Sequence, residues 1–203
     1  MWTKPRAVIT ALAAMLLNGA TGVAQPAPHP HVLIDTEVGV IEIELDASRA
    51  PRTAANFLRY VDEQFFDGTS FYRTVTPGNQ PDNLITIEVI QGGADGAKGA
   101  HDPIALEPTS ITGLKHVDGT VSMARNGPDT ATSEFFICVG DQPELDFGGR
   151  RNPDGQGFAA FGRVVNGKQI AKLIHERAAD RQRLAPPVTI RTMRRVAPTP
   201  PAP

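Results

Sequence analysis

The chain has a single cysteine, Cys138, so no disulfide can form within it in any compartment. One Trp and two Tyr leave aromatic packing to nine Phe. Neither sign of charge dominates: 20 Lys and Arg face 22 Asp and Glu, a formal net charge of −2 without a long basic run. That balance is poorly suited to nucleic acid or to an anionic membrane surface. A phosphate loop, an HExxH helix and a CxxC pair are all missing, which leaves nucleotide, zinc-protease and dithiol chemistry without their usual carriers. Ser122 and Ser133 lack a glycine-flanked elbow, and the five histidines are scattered with no evident base. Asn152, Asp154 and Gln156 follow part of a calcium-loop pattern, but Arg163 stands where a bidentate Glu is required. No metal and no cofactor are expected.

The apolar run Ala7–Leu17 is far short of the roughly 20 residues of a spanning helix. Lys4 and Arg6 precede it and Gly22-Val23-Ala24 follows, the plan of a cleavable signal peptide over residues 1–24. An uncleaved anchor or a crevice-filling helix is the alternative. No Cys follows the run to carry a lipid and no Arg pair precedes it as a twin-arginine address. We therefore expect export, and a periplasmic protein in a Gram-negative cell, with no membrane contact after cleavage. The mature part would keep 203 − 24 = 179 residues and a net charge of 18 − 22 = −4, enough for one domain with a sizeable core. Residues 25–31 read as a Pro-rich linker in which His29 and His31 are weak metal candidates, and residues 197–203 as a disordered Pro-rich tail.

Between them, residues 32–196 read as one β-rich domain. Ile41, Ile43 and Leu45 alternate with Glu42 and Glu44 after a turn at Val38-Gly39, giving a strand pair with one buried face. Pro51 suits a first helical turn, and Ala54, Phe57, Leu58 and Val61 recur at helical spacing up to about Gln64. Strands are expected at 71–75, 86–90, 158–165 and 188–196, a short one at 103–107, and a second helix at 168–177. Residues 76–83, 92–99 and 146–157 read as loops. The stretch 119–139 carries the densest signal: a small-residue strand to Ala124, turn residues Asn126-Gly127-Pro128-Asp129, then the apolar strand Phe135–Val139. Alternation there sends Phe136 and Cys138 to one face and Phe135 and Ile137 to the other, so one face can enter a core while the other floors a groove. Cys138 reads as a buried, inert thiol.

SFYRTV, VIQGG, GTVSMARNGP, SEFFICV, LD and FAAFGRVVNG follow one another in the order and spacing of the cyclophilins, and IELDASRAPRTAANFLRYV resembles that family's first strand–helix unit. The resemblance covers about Val32 to Val196. It implies a mainly β fold, a closed eight-stranded antiparallel barrel capped by two α-helices, and peptidyl-prolyl cis–trans isomerase activity on proline-containing polypeptides. It further implies that Arg73 is the catalytic arginine, Gln91 the groove glutamine and Phe136 the hydrophobic pocket wall. Ala124 and Arg125 would form a small-residue edge, Leu145 the pocket leucine, and Phe158 the position where many members carry histidine. A monomer is expected.

The sequence departs from that pattern at the groove. Arg73 and Gln91 are 18 positions apart where about eight are common in the family, so residues 76–83 belong to an added loop. Counting back from Gln91 puts Glu88 and Val89 at the pocket phenylalanine and methionine. Glu134 replaces a substrate-binding glutamine and Glu144 an aromatic, from which weak binding of cyclosporin-type ligands is expected. Two rivals to the isomerase reading are a low-turnover peptide-binding or chaperone module and a small-molecule carrier barrel. The arginine, glutamine and Phe-Phe-Ile motifs argue against the carrier.

Overall fold

A carboxylate far along the chain starts the first helix. The computed structural model describes Trp2, residues 29–96 and residues 99–197. In it Pro51 opens α1 (Pro51–Asp62), and no side chain of its own caps the helix. Glu107 does so instead, accepting from Thr53 N at 2.7 Å, Thr53 Oγ1 at 2.6 Å and Arg52 N at 3.2 Å. A negative charge at that end also suits the helix dipole. The segment expected as a strand at 103–107 therefore forms only one β-bridge, Ile104 to Ala131, and then delivers Glu107 to the helix.

Among the described residues there are nine strands. They are β1 (His31–Thr36), β2 (Gly39–Leu45), β3 (Ser70–Val75), β4 (Val89–Gly93), β5 (Thr120–Met123), β6 (Phe135–Cys138), β7 (Ala159–Asn166), β8 (Ala179–Asp180) and β9 (Arg183–Val196). All pairs are antiparallel, in the order β1-β2-β7-β5-β6-β4-β3-β9, and β9 pairs back to β1. Eight strands thus close the expected barrel, while β8 adds a short edge to β9. Among the described residues the α-helices number three rather than two. Besides α1 there are α2 (Thr109–Thr112) and α3 (Lys168–His175), α2 being a single turn between Pro108 and Gly113 and too short to show periodicity.

The strand boundaries differ from the sequence reading at three places, each for a local reason. β1 starts at His31, inside the presumed linker, because His31 Nδ1 meets buried Glu42 Oε1 at 2.7 Å. β4 begins at Val89 rather than at residue 86 and runs on through Gly92 and Gly93, assigned to a loop. A Cβ at Gly92 would lie 2.9 Å from the Phe71 ring, and one at Gly93, where φ is +141°, 2.5 Å from Glu134 Oε2. Close approach by neighbours, rather than a turn, demands these glycines. β9 begins at Arg183, its Pro186 and Pro187 lying between the stretch paired to β8 and the stretch from Val188 paired to β3.

The barrel interior is filled by Phe57 of α1, whose ring sits 5.1–5.4 Å from Phe66, Phe135 and Phe161. Ala171 and Ile174 are the buried apolar residues of α3, while Leu173 is exposed. A smaller cluster lies outside the barrel wall: Val75, Ile87, Val89, Phe136, Cys138 and Leu145, with Ala124 and Phe158 against it. The split of β6 between the two clusters follows the alternation read from the sequence. No described helix is long and apolar enough to cross a membrane. Residues 1–24, where a signal peptide is expected, lie outside the described residues apart from the exposed Trp2, as do residues 198–203.

Candidate active site

Strand register alone brings the candidate residues together. Arg73 is opposite Gln91, Gln91 opposite Phe136, and Phe136 opposite Ser122, a transverse row over β3, β4, β6 and β5. Residues directly opposite one another share a face, so this row points away from the barrel interior. A register shift between Phe71 and Arg73 lets Tyr72 join the same side. The row floors a cavity of about 430 Å³ that is lined by all eight candidates: Arg73, Gln91, Ala124, Arg125, Glu134, Phe136, Leu145 and Phe158.

One end of the cavity is apolar. Ile87, Val89, Phe136, Leu145 and Phe158 line it, with the Phe136 and Phe158 rings edge to face at 5.3 Å. Ile87 occupies the place the sequence count gave to Glu88. Ile87, just ahead of β4, and Val89 line the cavity, and Glu88 does not, its carboxylate lying 3.8 Å from His175. The Thr76–Asn83 insertion does lie beside the groove, held by buried Gln80. That side chain donates to Thr76 O and Ile87 O, both at 2.8 Å, and accepts from Ile87 N at 3.3 Å.

The polar end is a continuous hydrogen-bond chain. Arg73 Nη1 donates to Gln91 Oε1 at 2.7 Å, and Gln91 Nε2 donates to the Tyr72 hydroxyl at 2.6 Å. Tyr72 in turn donates to Glu134 Oε2 at 2.8 Å, and Glu134 Oε1 accepts from Asp95 N at 3.1 Å. On the other side, Arg73 Nε and Nη2 both reach Gln182 Oε1, at 3.0 and 2.6 Å, and Gln182 Nε2 donates to Asn79 O at 3.1 Å. Gln91 thus has its amide orientation set from both sides, with one hydrogen of its Nε2 left to donate elsewhere. Burial, and then the Glu134 carboxylate, push the Tyr72 hydroxyl far above its ordinary range, so it remains a donor. Burial also raises Glu134 against the lowering effect of the Tyr72 hydrogen bond. Arg73 is lowered, by burial first and by Arg151 second, yet a guanidinium stays charged in either case.

Arg125 closes the cavity edge. Its buried guanidinium pairs with Asp154 at 2.7 and 2.9 Å, donates to Gly157 O, and lies 5.2 Å over the Phe158 ring. It therefore pins the loop before β7 beside Ala124. Glu144, which replaces a family aromatic, is bonded to Arg150 at 2.8 Å and does not line the cavity.

Three features carry no signal in the residue order. Gln182 sits 109 residues from Arg73, on a hairpin without a motif. Arg151 and Asn152 line the cavity from the loop between Leu145 and Phe158, and Asn152 Nδ2 has no hydrogen-bond partner among the described residues. Lastly, His116 Nδ1 meets Asp146 Oδ1 at 2.8 Å and His116 Nε2 meets Ser122 Oγ at 2.9 Å. This is the connectivity of a serine-hydrolase triad, but Ser122 is 0% exposed, so no substrate carbonyl can reach it. The network instead braces the pocket, because the His116 ring stacks on Phe136 at 6.0 Å.

Comparison with known proteins agrees with this architecture. The chain is 38% identical over 151 residues to peptidyl-prolyl cis-trans isomerase A of Dickeya dadantii, covering 72% of this chain and 71% of that protein. It is 36% identical over 166 residues to a peptidyl-prolyl cis-trans isomerase of Acinetobacter baylyi, covering 79% and 80%. A crystal structure of a Cryptosporidium parvum cyclophilin-type isomerase superposes with a TM-score of 0.67 at 22% identity, over 84% of this chain and 99% of that one, a likeness of fold. A second structure of that protein, obtained in the presence of the dipeptide Ala-Pro, gives 0.66 over 83% and 99%. The family profile "Cyclophilin type peptidyl-prolyl cis-trans isomerase/CLD" matches residues 31–195, and with that match over a barrel of the same topology the chain belongs to the cyclophilin-type peptidyl-prolyl cis–trans isomerases.

Proposed function

We propose that this protein accelerates rotation about X-Pro bonds in exported polypeptides by holding the amide in its twisted form. The observation that carries this reading is the Arg73–Gln91 pair set beside the apolar cup of Ile87, Val89, Phe136, Leu145 and Phe158. Amide resonance imposes a barrier of about 18–20 kcal/mol, while cis and trans X-Pro differ by only about 0.5–1 kcal/mol. No covalent step is needed, only tighter binding of the twisted amide than of either planar form. The cup holds the prolyl ring. The Arg73 guanidinium, fixed by two glutamines, donates to the prolyl nitrogen as its lone pair localises, and the free Gln91 N–H holds a neighbouring carbonyl. A charge-assisted hydrogen bond of about 1.5–3 kcal/mol corresponds to roughly ten- to hundredfold in rate.

Relatives named as isomerases over most of their length support the activity, and the signal-peptide pattern of residues 1–24 supports export and a periplasmic site of action. A second reading, a low-turnover peptide-binding module, is favoured by one feature: Glu134 and the smaller Ile87 and Val89 change the groove. Cis–trans exchange of an Ala-Pro peptide followed by NMR separates the two. Fast exchange with residues 25–203 that collapses in Arg73→Ala supports the isomerase. Peptide binding with negligible exchange in the wild type supports the module.

A further inference from the structure

The cavity contains a second guanidinium with no role in the twisted-amide step. Arg151 comes from the loop between Leu145 and Phe158, and its Nη1 donates to Ile85 O at 2.8 Å, in the connection that precedes β4. Two loops far apart in sequence therefore meet at the rim of the proline cup. The other charged groups of the cavity are already engaged. Arg125 is paired with Asp154, Asp95 with Arg183 at 2.6 Å, and Glu134 accepts from Tyr72. Among the described residues, no carboxylate lies within ion-pairing distance of either Arg73 or Arg151. Arg73 is bonded only to the neutral side chains of Gln91 and Gln182. Arg151, half-buried, helps to hold Arg73 below its ordinary range, so the two like charges feel one another. This end of the groove thus carries positive charge that no ion pair neutralises, while Glu134, bonded to the neutral Tyr72, leaves one negative charge elsewhere on the cavity wall.

Geometry adds a donor set. A guanidinium has five N–H donors in a planar fork suited to a carboxylate, and a single one of these on Arg151 is accounted for by the Ile85 carbonyl. The next residue, Asn152, also lines the cavity, and its Nδ2 has no hydrogen-bond partner among the described residues. We propose that Arg151, backed by Asn152, is an anion-accepting subsite beside the proline cup that selects substrates with a carboxylate next to the X-Pro bond. The carboxylate can be an acidic side chain on a flanking residue or the C-terminus of a peptide ending just after proline. This selectivity rests on the isomerase reading for its effect on turnover, though not for its effect on binding.

The test uses capped peptides that carry Glu, Gln or Lys on either side of an X-Pro bond, together with a peptide ending X-Pro-Ala as the free acid or the amide. Exchange by NMR and affinity by calorimetry are compared for the mature protein, Arg151→Gln and Arg151→Glu. The expected result is a preference of about fivefold or more for the carboxylate form in at least one pair at low salt. That preference falls towards unity in Arg151→Gln and at about 0.5 M salt, and passes to a lysine-bearing peptide in Arg151→Glu. The pair that responds shows whether a side chain or a C-terminus is read. Equal affinity for every pair, or a preference that survives in Arg151→Gln, would overturn the subsite. Absence of exchange with the neutral peptides would instead count against the isomerase reading, and the affinity ratios would still decide the subsite.

Discussion

Arg73 and Gln91 lie 18 residues apart in the chain and directly opposite each other on β3 and β4, with Arg73 Nη1 donating to Gln91 Oε1 at 2.7 Å. The added loop between them is absorbed in the β3–β4 connection, so the functional register survives a lengthening that the sequence alone made hard to interpret. Antiparallel neighbours tolerate long connections because each doubling of loop length costs only about 0.6 kcal/mol in closure entropy.

Gln182 Oε1 accepts from both Nε and Nη2 of Arg73, the guanidinium proposed to act on the prolyl nitrogen. Replacing Gln182 by Leu should lower kcat about tenfold with KM little changed, because the peptide still fills the cup while Arg73 loses its orientation. Gln182→Glu restores an acceptor and should recover part of the rate. Equal changes in kcat and KM in both variants would refute a positioning role.

The buried His116–Asp146–Ser122 network should have no hydrolytic chemistry. A serine-directed fluorophosphonate is expected to leave Ser122 unlabelled, since the residue is fully enclosed. Ser122→Ala leaves a His116 nitrogen unpaired and should destabilise by about 1–3 kcal/mol in chemical denaturation.

Asp46, at the junction of β2 and α1, controls part of the acid stability. Burial alone would raise its carboxyl, but hydrogen bonds from Arg49 and Ser48 outweigh it and hold the pKa at about 2. A depressed folded-state value means that the contribution is present above the unfolded value near 4 and is lost as pH falls through about 2. Asp46→Asn should be about 2 kcal/mol less stable than the wild type at pH 6. The difference should vanish by about pH 2, and a constant gap across that window would contradict the linkage.

Gln80 joins both ends of the inserted loop, and Ile87 at its far end lines the cup. Gln80→Ala should speed amide exchange through residues 76–87 and raise KM several-fold. Unchanged protection in that segment would show that the loop is held by something else.

Cyclosporin-type ligands should bind weakly. A large apolar ligand would have to cover Arg151 at the rim and Glu134 in the groove without supplying partners for them. A sub-micromolar dissociation constant in calorimetry would disprove this.

Much of this architecture could be read from residue order. The alternation of Ile41, Ile43 and Leu45, the helical spacing of Ala54, Phe57, Leu58 and Val61, and the two-faced run Phe135–Cys138 each reappear as buried faces of the expected elements. Local periodicity carries that information because burial of one face is what selects a strand or a helix. The eight groove candidates were likewise legible through their flanking motifs, and they converge on one cavity. Sequence alone could not assign the cup residue before Val89, the fork of Gln182 on Arg73, the Glu107 cap, the buried triad or the contact between Arg151 and Ile85. Each of these depends on segments remote in the chain that meet through loops without periodicity, where only the closed barrel brings the partners within hydrogen-bonding reach.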